Sequence, residues 1–229
     1  MNFEVIIDNL PRLLEGTLLT IELVALGLVV GGLIALPTAL ARVSEHWWLR
    51  VPAYLYIFFF RGTPLLVQIF LVYYGLGQFD WVREGPLWPV LRQAYWCAII
   101  AFSLNTGAYT AEILRGAIEA VPRGAVEASR ALGMSTALAY RRIILPQAFR
   151  IAMPAYGNEV ILMLKGSALA STITLLDLTG MARTIIARTY MPVEIFLTAG
   201  VIYLLLTLVF TRAYRLLEAR AHRHLADAR

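Results

Sequence analysis

Residues 118–147 read I-E-A-V-P-R-G-A-V-E-A-S-R-A-L-G-M-S-T-A-L-A-Y-R-R-I-I-L-P-Q. Pro122 suits the first turn of a helix, where its missing N–H removes no hydrogen bond. Gly133 suits the left-handed position just past a helix end. Ser135 or Thr136 can then cap a second helix, which is expected to run toward a break signalled by Pro146. The stretch therefore predicts a short helix, a tight turn and a second helix, with arginines throughout and no apolar face long enough to cross a bilayer.

Both flanks of this polar stretch are apolar, and the same holds for the rest of the chain. Apolar residues make up 59% of the 229 positions and charged residues 15%, against about 25% charge in an ordinary soluble domain. The surplus is gathered in blocks long enough to span roughly 30 Å of hydrocarbon. Five spans are predicted, at residues 17–41, 52–79, 95–118, 149–176 and 193–214. The fourth is the most polar, because Pro154, Gly157, Asn158, Glu159, Lys165 and Gly166 interrupt it. Such a helix is tolerated only where it faces protein or a water-filled cavity. The fold expected is an all-α membrane protein, one transmembrane domain over residues 1–229. A helix-turn-helix element at about 119–147 lies between the third and fourth spans.

The net charge of +5 does not describe a nucleic-acid surface, since nearly all the basic residues are arginines beside apolar spans. Arg42 and Arg50, then Arg115, Arg123, Arg130, Arg141, Arg142 and Arg150, then Arg212, Arg215, Arg220, Arg223 and Arg229 fall on one side of a five-span chain. The other side holds Arg12, Arg83, Arg92, Lys165, Arg183 and Arg188. The richer side faces the cytoplasm, which predicts an external N-terminus and a cytoplasmic C-terminus. Residues 1–16 carry Glu4, Asp8, Glu15 and Arg12 and lack the basic start of a cleavable signal, so the first span is expected to be retained. Cys97 is the lone cysteine and reads as a small apolar residue in a helix. No G-x-x-x-x-G-K-[ST], H-E-x-x-H, paired-cysteine or G-x-S-x-G motif occurs, so neither nucleotide hydrolysis nor metal chemistry is expected in this chain. No internal repeat is visible. A pathway enclosed within one chain by two repeats is less expected than one formed between two such subunits.

Four stretches resemble a known family, the permeases of binding-protein-dependent ABC importers: A-Y-T-A-E-I-L-R-G-A-I-E-A-V-P-R at residues 108–123, similar to its polar amino-acid branch, and three others. The first is Glu127, Ala128 and Ser129, three residues, Gly133, nine residues, Ile143, one residue, then Leu145 and Pro146. It is similar to that family's E-A-A…G…I-x-L-P signature, with serine for the third alanine. The second, R-G-T-P-L-L-V-Q at residues 61–68, resembles the polar amino-acid branch. The third, P-A-Y-G-N-E-V-I-L-M-L-K-G-S-A-L-A-S at residues 154–171, resembles one of the two paired permeases of histidine/lysine/arginine/ornithine and opine importers. The resemblance implies that residues Glu127 to Pro146 couple the spans to a separate ATPase. It implies as partners a homologous second permease, two ATPase subunits and a periplasmic binding protein. ATP and Mg would be held by the ATPase, with no cofactor in this chain, in a bacterial inner membrane.

Within the spans, ionised side chains are expensive and usually face a partner or a pathway. At 1.5 Å per residue, Asn158 and Glu159 lie roughly 12–14 Å in from Arg150, near the midplane. Arg61, Asn105 and Thr106 are expected at a similar depth. In one reading Glu159 and Asn158 line a substrate cavity, Glu159 attracting a cationic group while Arg61 or Gln68 meets a carboxylate. In the other, Glu159 pairs with Arg61 and fixes helix packing. Glu112 has Arg115 three residues on as a helical partner. Glu22 is expected to snorkel, Asp177 to cap the turn after the fourth span, and Lys165 to face an outer gate or the interface. Trp47, Trp48, Trp81, Trp88, Tyr95 and Trp96 read as an aromatic belt, and His222 and His224 as part of a basic tail. An ion-gradient transporter and an integral-membrane transferase are the rival readings; the second needs clustered Asp or His, which the sequence lacks.

Overall fold

A computed structural model describes residues 2–226, with side chains to residue 219. The side chains of Arg220, His222, Arg223 and His224, and the whole of Arg229, lie outside the described residues. Among the described residues all regular structure is helical, without a strand. Three helices are each long and apolar enough to cross a membrane: α1 (Phe3–Val43), α6 (Ala94–Glu119) and α11 (Pro192–Ala226). Two bent pairs bring the possible number to five.

Helix α6 is the central element. Most of its length is buried, whereas α11 turns Phe196, Leu197, Val201, Leu204, Leu205, Leu208 and Val209 outward. The most extensive helix–helix interface runs between α1 and α6. On α1 the buried positions Gly27, Gly31, Ala35 and Ala39 recur every four residues, so one stripe of small residues faces α6. In an apolar solvent such stripes let backbones approach and gain dispersion contacts. A Cβ on Gly31 would sit 2.4 Å from the Thr106 methyl and 3.0 Å from the Ser103 carbonyl oxygen, while Gly32 beside it has open space. Around Phe102, Leu23, Val24, Ile69, Met163, Leu164 and Ile173 close one core. A second core joins Ala35, Ala39, Ile57, Leu114, Ile118, Ile144 and Ala148 beneath it.

The second expected span is broken. Helix α2 (Trp47–Gly62) stops at Thr63, which is extended, and α3 (Leu65–Phe70) restarts after Pro64 at 107° to it. A residue before proline is driven out of the helical region, which explains the place of the break. After α3 the chain tightens through a π turn at Leu71–Gly75 and a 3₁₀ turn at Leu76–Gln78. It then forms two single-turn helices, α4 (Asp80–Arg83) and α5 (Trp88–Leu91), that no sequence pattern announced.

The stretch that opened the sequence reading forms α7 (Arg123–Ala131), a glycine turn and α8 (Thr136–Ala139). Gly133 has φ +72°. The Met134 N–H donates to the Ser129 carbonyl at 3.1 Å and the Gly133 N–H to the Arg130 carbonyl at 2.9 Å, the paired bonds of a Schellman ending. Ser135 caps α8 by accepting from the Leu138 N–H at 3.4 Å. Pro146 does not break the second helix. The chain passes from α8 through a π turn at Tyr140–Ile144 straight into α9 (Leu145–Gly166). The widened turn accommodates a residue that has no N–H to donate. α9 continues as a 3₁₀ turn, Ser167–Ile173, then bends by 48° into α10 (Leu178–Thr189). Asp177 caps α10 by accepting from the Thr179 and Gly180 N–H groups.

Candidate functional site

The break between α2 and α3 leaves carbonyls of the α2 end without helical partners. The buried Gln68, one turn into α3, folds back on them. Its amide nitrogen donates to the Phe60 carbonyl at 2.8 Å, the Thr63 carbonyl at 3.0 Å and the Thr63 hydroxyl at 2.8 Å. Its amide oxygen accepts from Asn105 Nδ2 at 2.9 Å. Gln68 thus joins α2, α3 and α6 and is used up in holding the break, which is a different place from the cavity-facing one expected of it.

Beside this knot lies a cavity of about 270 Å³ lined by Thr63, Pro64, Leu65, Asn105, Tyr109, Glu159, Leu162 and Met163. Glu159 is 5% exposed and accepts a 3.0 Å hydrogen bond from Thr106 Oγ1. Asn158, one position earlier, is exposed on the surface of the chain and does not line this cavity. A second cavity of about 340 Å³ is lined by Arg42, Tyr54, Ile57, Phe58, Arg61, Gly62, Tyr109 and Glu112. Tyr109 belongs to both, so its ring is the wall between them. Arg61 lies over that ring, its guanidinium carbon 5.3 Å from the centroid.

Arg61 stands 3.9 Å from Glu112, so its carboxylate neighbour is Glu112 rather than Glu159. Glu112 is held more tightly by Arg115 at 2.7 Å, and Arg115 reaches Glu119 at 2.6 Å. The i, i+3 spacing of Glu112 and Arg115 announced their pairing. The structure therefore sets two polar clusters side by side: a buried carboxylate with hydroxyl and amide groups in one, an arginine-rich ion-pair cluster in the other, with the Arg61 charge still acting on Glu159. Together they can attract the positive and negative ends of a zwitterion. Tyr109 stands in the resembling stretch 108–123 but was not among the candidate site residues. Its signal was there: Asn105 and Tyr109 are four residues apart and share a helix face.

The remaining candidates are dispersed. Glu22 accepts a hydrogen bond from the Tyr95 hydroxyl across α1 and α6. Lys165 is exposed near the end of α9. Trp47, Trp48, Trp81 and Trp96 are exposed. Glu127 and Ala128 lie on the open face of α7, Ser129 is buried and bonded to the Val126 carbonyl, and Leu132 at the tip is 76% exposed. Ile143 and Leu145 are half-buried where the π turn enters α9, with Pro146 exposed beside them.

Comparison with known proteins agrees with this architecture. Residues 26–223 match the family described as "Binding-protein-dependent transport system inner membrane component". The octopine transport system permease protein OccM of Rhizobium meliloti is 53% identical over 211 residues, covering 92% of this chain and 86% of that one. The nopaline permease NocM of Agrobacterium fabrum is 48% identical over 95% of this chain and 91% of its own length. The histidine/lysine/arginine/ornithine permease HisM of Escherichia coli is 45% identical over 91% and 88%. Among solved structures, an amino acid ABC transporter crystallised with histidines superposes with a TM-score of 0.86 and 39% identity, over 96% of this chain and 99% of the other. The methionine transporter MetNI in an inward-facing form shares the fold at a TM-score of 0.79 and 19% identity, over 94% of this chain and 99% of the other. With a family match over most of its length and close relatives matched nearly end to end, this chain belongs to the inner membrane components of binding-protein-dependent transport systems.

Proposed function

We propose that this chain forms half of the translocation pathway of an ATP-driven importer for basic amino acids or the opines derived from them. The observation that carries the substrate class is Glu159, a buried carboxylate with a single hydroxyl donor at the edge of a cavity that has room for a ligand. A carboxylate in such surroundings favours a cationic partner over remaining alone. The permeases for octopine, nopaline and basic amino acids among its relatives support the same class. Arg61, across the Tyr109 ring, is suited to the carboxylate end of the substrate.

In this reading the chain crosses the inner membrane five times, counting each bent pair once, with its N-terminus outside. Residues Glu127 to Pro146 face the cytoplasm and couple to the ATPase. Support comes from α7 itself: a short helix with a rigid glycine ending, set between α6 and α9, that holds Leu132 out into solvent. A second homologous permease completes the pathway, two ATPase subunits bind ATP and Mg, and a periplasmic protein delivers the substrate.

The test is substrate-stimulated ATPase activity of the whole reconstituted complex, measured with a panel of amino acids and opines. Lysine, arginine, histidine or an arginine-derived opine is expected to stimulate, while neutral amino acids leave the basal rate. Glu159→Gln should raise the half-saturating concentration of the basic substrate by about ten-fold or more, as loss of a charge-assisted contact implies. Unchanged selectivity in that variant would remove Glu159 from the substrate role. Uptake by the isolated chain on a proton or sodium gradient would overturn the importer reading.

A further inference from the structure

The cavity on the Arg61 side of Tyr109 holds more positive charge than its own carboxylate answers. The last turn of α1 supplies Arg42, α2 supplies Tyr54, Phe58 and Arg61, and α6 supplies Tyr109 and Glu112. Positions 54, 58 and 61 share one helix face, so the α2 wall is continuous. Glu112 is committed to Arg115, which donates to it from Nε at 3.0 Å and from Nη2 at 2.7 Å. Arg61 keeps a looser approach of 3.9 Å to the same carboxylate. Arg42 has not even that: among the described residues it makes no ion pair.

Both arginines are instead stacked on rings. The Arg42 guanidinium carbon lies 4.9 Å from the Tyr54 centroid, as Arg61 lies over Tyr109. A guanidinium held by its face keeps its in-plane N–H groups for a carboxylate. Across the two adjoining cavities the lining charges are Glu159 and Glu112 against Arg42 and Arg61, which balance. A free basic amino acid upsets that balance. With its side chain on Glu159 and its carboxylate on Arg61, its α-ammonium becomes a further cation beside two arginines. Uncompensated charge in such a setting is costly. A second carboxylate carried on the α-nitrogen offsets the ammonium and gives Arg42 a counter-charge.

We propose that Arg42 and Arg61 form a two-carboxylate site, and that the substrate is a basic amino acid bearing a carboxyalkyl group on its α-nitrogen. Its cationic side chain meets Glu159, one carboxylate meets Arg61 and the second meets Arg42. The assignment rests on the importer reading above and on Glu159 as the cation site. It adds the second carboxylate and makes Arg42 the residue that selects for it.

The ligand-dependent rise in thermal midpoint of the purified permease–ATPase complex tests this, with the binding protein left out so that its own selectivity does not enter. The probes are arginine, Nα-ethylarginine and Nα-(1-carboxyethyl)arginine, the last two differing by the second carboxylate alone. The carboxyethyl compound should half-saturate at about ten-fold lower concentration than either other probe, the weight of one charge-assisted contact. Arg42→Gln should abolish that advantage while moving arginine by less than about two-fold, and Arg42→Lys should restore part of it. Equal half-saturation of the three probes by the unaltered complex would overturn the two-carboxylate site whatever the variants do. So would an Arg42→Gln complex that keeps the preference. Failure of the importer reading looks different: none of the three probes binds, or Glu159→Gln leaves all three unchanged, and the two-carboxylate site then falls with it.

Discussion

Gln68 shows how one side chain can hold a cavity in shape. Its amide satisfies two carbonyls and a hydroxyl at the end of α2 and accepts from Asn105 on α6. Leucine fills a similar volume but takes the amide donor from the Thr63 carbonyl and the amide acceptor from Asn105, which keeps only a 3.4 Å contact to the Phe60 carbonyl, at about 1–3 kcal/mol for each buried group left without a partner. Gln68→Leu is therefore expected to lower the thermal midpoint of the complex measurably and to impair transport of every substrate alike. Loss of transport for one substrate only, with unchanged stability, would instead give Gln68 a direct contact. Glu159→Gln is expected to behave the opposite way, shifting substrate affinity with little change in stability. From the sequence both residues are candidate substrate contacts. Their hydrogen-bond partners distinguish them.

At the scale of elements, glycines mark two different needs. Gly31 lies in the α1–α6 contact, where any Cβ meets Thr106 and the Ser103 carbonyl. Gly31→Ala should destabilise the assembled protein by about 1–3 kcal/mol, the usual range for overpacking, while Gly32→Ala should be neutral. Denaturation of the two variants by heat or detergent exchange checks the contrast; equal stability would show that α1 and α6 can separate freely. Gly133 has open space around it but a left-handed backbone, φ +72°. Gly133→Ala should cost about 1–2 kcal/mol locally and fray the end of α7. The expected result is weaker co-purification of the ATPase with intact membrane insertion, read from pull-down yield. Undiminished ATPase recovery and coupling would mean that the turn has no part in docking.

For the molecule as a whole, orientation is the property most open to direct measurement. Cys97 is fully buried, so single cysteines placed elsewhere can be read against a silent background. Ser44→Cys, between α1 and α2, should label only when the cytoplasmic side is accessible. Glu84→Cys, in the loop after α4, should label in intact cells with a membrane-impermeant maleimide. The reverse pattern would invert the topology and move α7 away from any cytoplasmic ATPase. The exposed apolar faces of α2 and α11 are where the lipid and the second permease proposed above would lie.

Helical class, the apolar spans and the placement of the polar helix-turn-helix were legible in the sequence, because each depends on local composition: apolar length, its interruption by charge, and the one residue type that tolerates a left-handed turn. Glu112 and Arg115 were legible for the same reason, being one helical turn apart. The sharp break at Thr63–Pro64 and the π turn before Pro146 were not. Proline disfavours a helical residue before it and removes one N–H, but whether the helix breaks or widens depends on what takes up the freed groups. At the first site Gln68 and Asn105 take them up, and at the second the continuing packing of α9 keeps the axis. The pairing of Arg61 with Glu112 rather than Glu159, and the place of Tyr109 between two cavities, likewise followed only from how α2, α6 and α9 cross. Residues of equal depth on different helices are equivalent along the sequence, and only the rotation of each helix about its axis decides which of them meet.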